Sequence, residues 1–552
     1  MTVTEPTASP VESIKAASDL LRGPLAAELA APEPNVTHDA EQLLKFHGVY
    51  AQDDRDQRRA RSLAGEALAY SFMIRVAIPG GRLTPAQWLA LDAISDDIAD
   101  GSIRLTTRQA VQFHGVAKHD LRTVATSLHA HLMTSFGACG DVVRNTVTCP
   151  DLALDGADDP RLDVATRIAR AFKPATSAHW EIFVEGALAA SGGELEHDFY
   201  GETYLPRKFK IAIAHPGENC VDVYAQDLGL VPATHPEVGD GFVVLVGGGL
   251  GRSYAQEDTF ARLAEPLTFV THDEVIELIG AVVATYRDLG DRTNRRRARL
   301  KYVVADLGLA GFAAQVARRY GPLRAPVEIA LSAADDHLGW HEDRAGRWRL
   351  GIRVGAGRVR DASPGLGLRS AIREVLEGRD LTLVISAQQD LIVAGVAAGD
   401  RDAIDQILAR HGVRGVEQLG RVERSALACP ALPTCGQALA EAERVLPSVV
   451  ATVQGEVDRL GGARKLQLRM TGCPNGCARP AVAEVGVVGR TKSTYDVYLG
   501  GGPRGDRLAR VVAEKVKLDA VGEVLRPHLE RWRDEGREGE TFGDFVDRVG
   551  AP

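Results

Sequence analysis

Four cysteines near the C-terminal end carry the clearest chemical signal in this chain. They read Cys429-Pro-Ala-Leu-Pro-Thr-Cys435, and later Cys473-Pro-Asn-Gly-Cys477. Four thiolates suit a tetrahedral metal ion or an iron–sulfur cluster. Structural zinc sites usually pair two arms with two to four residues between the cysteines, and the five-residue gap of the first arm is unusual for them. The spacing therefore argues for a cluster, with zinc as the alternative. Pro474-Asn475-Gly476 is a turn sequence, and such a turn aims backbone N–H groups at cluster sulfurs. Cys149 and Cys220 read as packing residues, and His114 as a satisfied, partly buried histidine rather than a ligand.

The elements that must hold these residues occur twice. Ser102–Val116 reads as strand, turn and strand, and Thr382–Val396 repeats it: both place a Gln (109 and 389) after the turn and close on Gly-Val. Asp227-Leu-Gly-Leu-Val231 before Phe242–Leu250 is echoed by Glu484-Val-Gly-Val-Val488 before Tyr495–Pro503. Two echoes in the same order predict a duplicated, pseudo-two-fold architecture, far longer in period than a solenoid. Helical patterns lie between the strands, at Pro85–Ile98, Pro160–Phe172, Asp273–Leu289, Asp506–Lys517 and Val521–Glu535. The run Arg292 to Arg299 reads as a solvated helix face, with Arg299 or Lys301 as its cofactor contact. Strands mixed with helices without strict alternation predict an α+β fold. Gly500-Gly-Gly-Pro-Arg-Gly505 fits the G-x-G-x-x-G dinucleotide pattern, but helix followed by helix after it points to a structural turn.

Composition narrows the class. At 552 residues the chain exceeds one core, so two to four domains are expected. A net charge of −9 argues against a nucleic-acid role. No apolar run approaches the roughly 18 residues that span a bilayer. Residues 1–35 lack a signal-peptide layout and read as a mobile extension or surface helix. Seven cysteines, an odd number in a large chain, favour metal or catalytic use in a reducing compartment, so a cytoplasmic location is expected.

Ala428-Cys429 through Pro433-Thr434-Cys435, with Thr471-Gly472-Cys473-Pro474-Asn475-Gly476-Cys477, resembles the signature of the siroheme sulfite and nitrite reductases, and most of all its assimilatory sulfite reductase hemoprotein branch. The resemblance runs from about residue 45 to the C-terminus. It implies that Cys429, Cys435, Cys473 and Cys477 hold a [4Fe–4S] cluster and that Cys477 also bridges to the siroheme iron. It implies a duplicated fold of two ferredoxin-like halves (41–136 with 337–416) and two cofactor domains, 137–336 for siroheme and anion and 417–552 for cluster and siroheme, after an N-terminal extension, 1–40.

Siroheme carries eight carboxylates, so a protein that buries it must supply cations and hydrogen-bond donors. The resemblance places Arg75, Arg144, Lys208 and Lys210 around the substrate anion. It places Arg104, Thr106, Arg108, Gln112, Arg207, Gln389 and Asn475 against the macrocycle or its carboxylates. Lys208 or Lys210, in a cationic and partly dry pocket, suits a proton donor. Nitrite-preferring relatives tend to carry Asn at the position of Lys210. Some relatives join a Tyr and a Cys matching Tyr50 and Cys139 covalently; the other reading of the pair is two unlinked packing residues. The implied reaction is the six-electron reduction of sulfite to sulfide, with nitrite reduction to ammonia as the alternative within the family. A zinc-stabilised binding scaffold is the alternative from another class. Electrons are expected from a separate protein, ferredoxin or a flavoprotein reductase; no nucleic-acid or membrane partner is expected.

Overall fold

The computed structural model describes residues 7–150, 160–175, 180–184, 187–192, 199–334, 336–363, 366–461 and 465–550. Four five-stranded sheets form two matched pairs. The first antiparallel sheet runs, in spatial order, Val49–Asp53, Tyr70–Val76, Val111–Val116, Ile103–Leu105 and Arg358–Val359. Its mate runs Gly339–Glu342, Trp348–Ile352, Leu391–Val396, Thr382–Ile385 and Arg82–Leu83. Each sheet thus takes its fifth strand from the other half: Arg358 pairs with Arg104, and Leu83 pairs with Leu383. These are the two ferredoxin-like halves, and both strand–turn–strand echoes fall in them as expected.

Helix Pro85–Asp97 starts on a capping box, with the Thr84 hydroxyl accepting from Gln87 N and Pro85 in the first turn, where its missing N–H costs nothing. It packs across the two-fold on helix Leu368–Leu376, whose Arg369 and Arg373 reach Asp96 at 2.6 and 3.0 Å. The fully buried Trp88, Phe72 and Phe113 belong to the core that joins the halves.

The other two sheets share one topology. Val147–Thr148, Ile211–Ile213 and Leu228–His235 are mutually parallel, and Gly239–Val246 and Glu265–Thr271 continue antiparallel. Leu427–Ala428, Leu468–Thr471 and Val485–Thr491 are likewise parallel, with Thr494–Leu499 and Arg510–Lys517 antiparallel. The equivalence extends to side chains. Asp227 and Glu484, the first residues of the second echo, each accept a backbone N–H at 2.9 Å from the residue just before the neighbouring parallel strand, Lys210 and Gln467.

Four expectations need correction. Residues 510–517 are a strand, not part of a helix: Arg-Val-Val-Ala-Glu-Lys-Val-Lys completes the sheet edge, where exposed Lys and Glu block further pairing. The glycine-rich turn before it therefore sits between antiparallel strands. A Cβ on Gly501 would lie 2.2 Å from Ala483 O, and one on Gly248 of the matching turn 2.3 Å from Tyr224 O. Arg292–Arg299 is a turn, because the Asp291 carboxylate accepts from Thr293 N, Thr293 Oγ1 and Asn294 N and so competes with helical pairing. The N-terminal segment from residue 7 is packed rather than mobile: in helix Pro10–Ala16, Lys15 is buried and donates to Leu205 O at 3.0 Å. Helix Leu300–Tyr320 is long and apolar enough to cross a membrane by length and composition. It breaks at Gly308 (φ 68°), and Phe312 and Val316 beyond the break are buried in the core.

Candidate active site

Parallel pairing brings the cysteines together. Leu427–Ala428 and Leu468–Thr471 lie side by side, so their ends deliver Cys429 and the Cys473–Cys477 turn to one edge of the sheet. Gly472 N donates to Cys429 Sγ at 3.3 Å, Gln437 and Ala438 N–H groups face Cys435, and Asn475 N–H faces Cys473. Cys477 interacts electrostatically with all three other cysteines. Burial first, and then the neighbouring Cys477, pushes Cys473 up to about 12, so adjacent thiolates here need cationic compensation. A single zinc ion with bonds of about 2.3 Å would hold its sulfurs about 3.8 Å apart. Among the described residues, the group with three or more ligand atoms within 4.8 Å of one another lies elsewhere. No three of the four sulfurs fall within that limit, a more open set than one zinc ion holds, and the N–H donors suit an iron–sulfur cluster.

The cations stand on the facing side. Lys208 and Lys210 precede strand Ile211–Ile213, and Asp227, fully buried, holds the Lys210 backbone N–H and the Arg299 guanidinium (3.0 and 2.6 Å). Among the described residues neither lysine ammonium has a hydrogen-bond or ion-pair partner. Burial, then Arg299 and Arg207, brings Lys208 down to about 7. Burial, then Lys208, holds Lys210 well below the usual lysine range. Arg75 Nη1 donates to Cys139 Sγ at 2.7 Å, and its guanidinium lies 5.9 Å from the Tyr50 ring centre. The Gln112 amide oxygen accepts from Arg75 Nε and Nη2 at 3.2 and 2.5 Å in the orientation that satisfies both groups. Arg144 donates to Gly140 O at 2.8 Å. Cys477 acts electrostatically on Arg75, Lys208 and Lys210, so it stands between the cysteine set and the cation set.

A cleft between these groups is lined by Arg108, Lys210, Gln226, Arg299, Asn475, Cys477 and Arg479. Arg108 donates to Gln226 Oε1 and Ile211 O, both at 2.8 Å, while its Nε is buried without a partner among the described residues. Burial and then Arg479 bring it down to about 9. The Thr106 hydroxyl shapes the turn by accepting from Arg108 N and Ala110 N. Its neighbour Thr107 is the one that reaches Cys477, donating to its carbonyl at 3.1 Å. Arg207 lies 3.8 Å from Asp141 and is partly exposed.

Arg104 and Gln389 also make contacts within the chain. The three Arg104 nitrogens go to Glu443, Ala428 O (2.8 Å) and Leu105 O (3.2 Å), so Arg104 ties the first half to the strand before Cys429. Gln389 donates to Leu105 O at 3.4 Å, and its two-fold mate Gln109 donates to Ile385 O at 2.7 Å. Both glutamines take left-handed backbones (φ 69° and 52°), and Gln389 Oε1 has no partner among the described residues. Lys301 donates to Gly249 O, Gly251 O and Phe260 O and so braces the glycine-rich turn.

Sequence reasoning missed Asp227, Asp222 and Arg479. Asp222 holds Arg469 (2.7 Å) and Arg479, and Arg479 reaches Ala387 O at 3.0 Å. Asp227 was findable as the opening residue of an echo; Asp222 and Arg479 carried no local signal. Arg55, likewise unsuspected, donates to Cys435 O and Ala438 O at 3.1 and 2.6 Å.

Fold and site together define a duplicated redox protein with a four-cysteine centre beside a cation-lined cleft. The family model described as the nitrite and sulphite reductase 4Fe-4S domain matches residues 139–322 and 420–552, and the nitrite/sulfite reductase ferredoxin-like half domain matches 68–131. The chain is 40% identical to the sulfite reductase (ferredoxin) of Synechococcus elongatus, over 99% of this chain and 91% of that protein. It is 42% identical to the sulfite reductase (NADPH) hemoprotein beta-component of Myxococcus xanthus, over 98% of this chain and 96% of that one. The solved structure of the Mycobacterium tuberculosis NirA protein shares the fold, with a TM-score of 0.80 at 24% identity, covering 99% of this chain and 97% of that chain. This chain belongs to the nitrite and sulphite reductase family. The family's cofactors are siroheme and a [4Fe–4S] cluster. The residues present fit both: the four cysteines meet at one sheet edge with N–H donors facing them, and Lys208, Lys210 and Arg108 Nε, without partners among the described residues, offer cations and donors to anionic groups.

Proposed function

We propose that this chain is a sulfite reductase that converts sulfite to sulfide in six one-electron steps. The observation that carries the reading is the placement of Cys477 between three other cysteines and the Arg75, Lys208 and Lys210 cations. Cys429, Cys435, Cys473 and Cys477 would hold the [4Fe–4S] cluster, and Arg108, Arg207 and Asn475, with Gln389, would hold siroheme. When bound, these groups supply a sulfur-binding iron and a one-electron relay.

The chain's own residues bind the anion and move protons. Lys208, Lys210, Arg75 and Arg144 present positive charge to the substrate oxygens as charge builds on them. The Gln112 and Asp227 contacts fix Arg75 and the Lys210 backbone in advance, so little reorganisation is needed at the moment of reaction. Lys208, near 7, exchanges its ammonium proton in the working pH range, as a general acid requires. Two lysines without a partner among the described residues suit a dianion better than a monoanion, which favours sulfite over nitrite.

Electrons come from a separate carrier, ferredoxin or a flavoprotein reductase; relatives bear names of both the ferredoxin and the NADPH kind. A visible spectrum of the purified protein, followed by turnover of sulfite and nitrite with reduced methyl viologen, tests the reading. Siroheme bands with sulfide production are expected. A protein without those bands after cofactor loading, or one that turns over nitrite alone, would overturn it.

A further inference from the structure

A second group of metal-binding side chains meets away from the cleft. Cys149 follows strand Val147–Thr148, Glu218 and Cys220 lie in the loop after Ile211–Ile213, and His337 precedes strand Gly339–Glu342. Their two sulfurs, one imidazole nitrogen and one carboxylate oxygen all lie within 4.8 Å of one another. Cys149 Sγ is 3.8 Å from His337 Nε2, which is 3.1 Å from Glu218 Oε1. Cys149, Cys220 and His337 are 0%, 1% and 3% exposed. Packing alone, the expectation from sequence, does not account for a histidine and a carboxylate drawn in beside two thiols.

The separations match one tetrahedral ion. Bonds of about 2.3 Å to sulfur and about 2.0–2.1 Å to nitrogen and oxygen put S···N at about 3.6 Å and N···O at about 3.3 Å. The observed distances agree within a few tenths of an ångström, in contrast to the open four-cysteine set. We propose that Cys149, Cys220, His337 Nε2 and Glu218 bind a structural zinc ion. Thiolate and imidazole ligands select zinc over magnesium or calcium, and four protein ligands leave no open position for catalysis. Binding releases the protons that the thiols and the imidazole carry, since zinc takes thiolate and neutral imidazole. Cys149 and Cys220 share a buried apolar cluster with Val147, Ala212, Ala214, Val221 and Leu331.

The ion would staple three distant stretches of chain: the ends of two adjacent parallel strands and the segment that opens the second half. It also lies two residues from Asp222, which positions the cleft residue Arg479. The site is independent of the sulfite reading, since none of its ligands enters the cleft.

Metal analysis of the holoenzyme purified without chelator tests this. About one zinc per chain is expected in addition to iron, with a zinc absorption edge showing two sulfur and two lighter ligands. Cys220→Ser and His337→Gln should each lower zinc at least fivefold while iron and acid-labile sulfide stay unchanged. The wild-type edge stands alone if the variants fail to fold. A wild type that neither contains zinc nor takes it up when reduced and supplied with zinc chloride would overturn the proposal. So would a Cys149–Cys220 disulfide in the freshly purified enzyme, or undiminished zinc in the variants.

Discussion

Lys210→Asn removes one of two ammonium groups that have no acceptor among the described residues, and leaves the backbone N–H to Asp227 intact. A unit charge 4 Å from an ammonium gains about 4 kcal/mol at an effective dielectric of 20. Lys208 repels Lys210, so removing Lys210 also relieves a like-charge repulsion, which at this dielectric offsets roughly half of that gain. A monoanion such as nitrite then loses about 2 kcal/mol. Sulfite, partly a dianion near neutral pH, loses up to about 4 kcal/mol. In kcat/KM this is on the order of 30-fold for nitrite and up to 1,000-fold for sulfite. The assay is steady-state turnover of both anions by wild type and variant, with reduced methyl viologen at fixed ionic strength and with siroheme and iron content matched. Equal losses for the two anions, or a wild type that strongly prefers nitrite, would show that Lys210 does not set the preference and would promote the nitrite reading.

Cys473→Ser and Cys435→Ser should abolish the [4Fe–4S] signal and turnover, and Cys477→Ser should also uncouple haem from cluster; normal iron and acid-labile sulfide in the Cys473 variant would refute the ligand assignment. The Lys208 ammonium, brought down to about 7, is present below that pH and lost above it, so sulfite kcat/KM should fall on the alkaline side. Lys208→Arg should move that fall above pH ~9, because a guanidinium keeps its proton; an unmoved limb would assign it to another group. Tyr50 and Cys139 interact as neighbours in the fold; a covalent link between them would give one cross-linked peptide lighter by two hydrogens, and separate Tyr50 and Cys139 peptides would make them two unlinked packing residues. Asp227→Asn strips the fully buried partner from Arg299 and should cost about 3–5 kcal/mol in urea unfolding, whereas a change under about 1 kcal/mol would mean that the pair contributes little.

The duplication was legible because strand–turn–strand units carry their period in consecutive residues: Ile103–Val116 and Leu383–Val396 alternate, turn and close alike. The cysteine arms were legible because spacing is a local property. What escaped was set by distant neighbours. Residues 510–517 contain Ala513-Glu514-Lys515, acceptable to a helix, yet the open edge of strand Thr494–Leu499 recruits them as a strand. Arg292–Arg299 looked like one basic face, and the fold sends its members apart, Arg292 to Glu12, Arg295 to Asp141, Arg297 to Asp258 and Asp306, and Arg299 to Asp227. Arg104 illustrates the same limit: its type was noticed, while its engagement by Glu443 depends on a residue 339 positions away.

The exchange of short strands between the halves has a consequence for biosynthesis. As the chain leaves the ribosome, the Ile103–Leu105 strand emerges with one side unpaired, and its partner, Arg358–Val359, follows about 250 residues later. At 5–20 residues per second that delay is roughly 13–50 s. Through that interval the nascent first half presents a raw edge of the kind that recruits stray strands. Neither half is finished without the other, so the two should resist separate expression and yet find each other when produced together as fragments cut between them. The duplication thus made two units that are alike in plan but no longer self-sufficient.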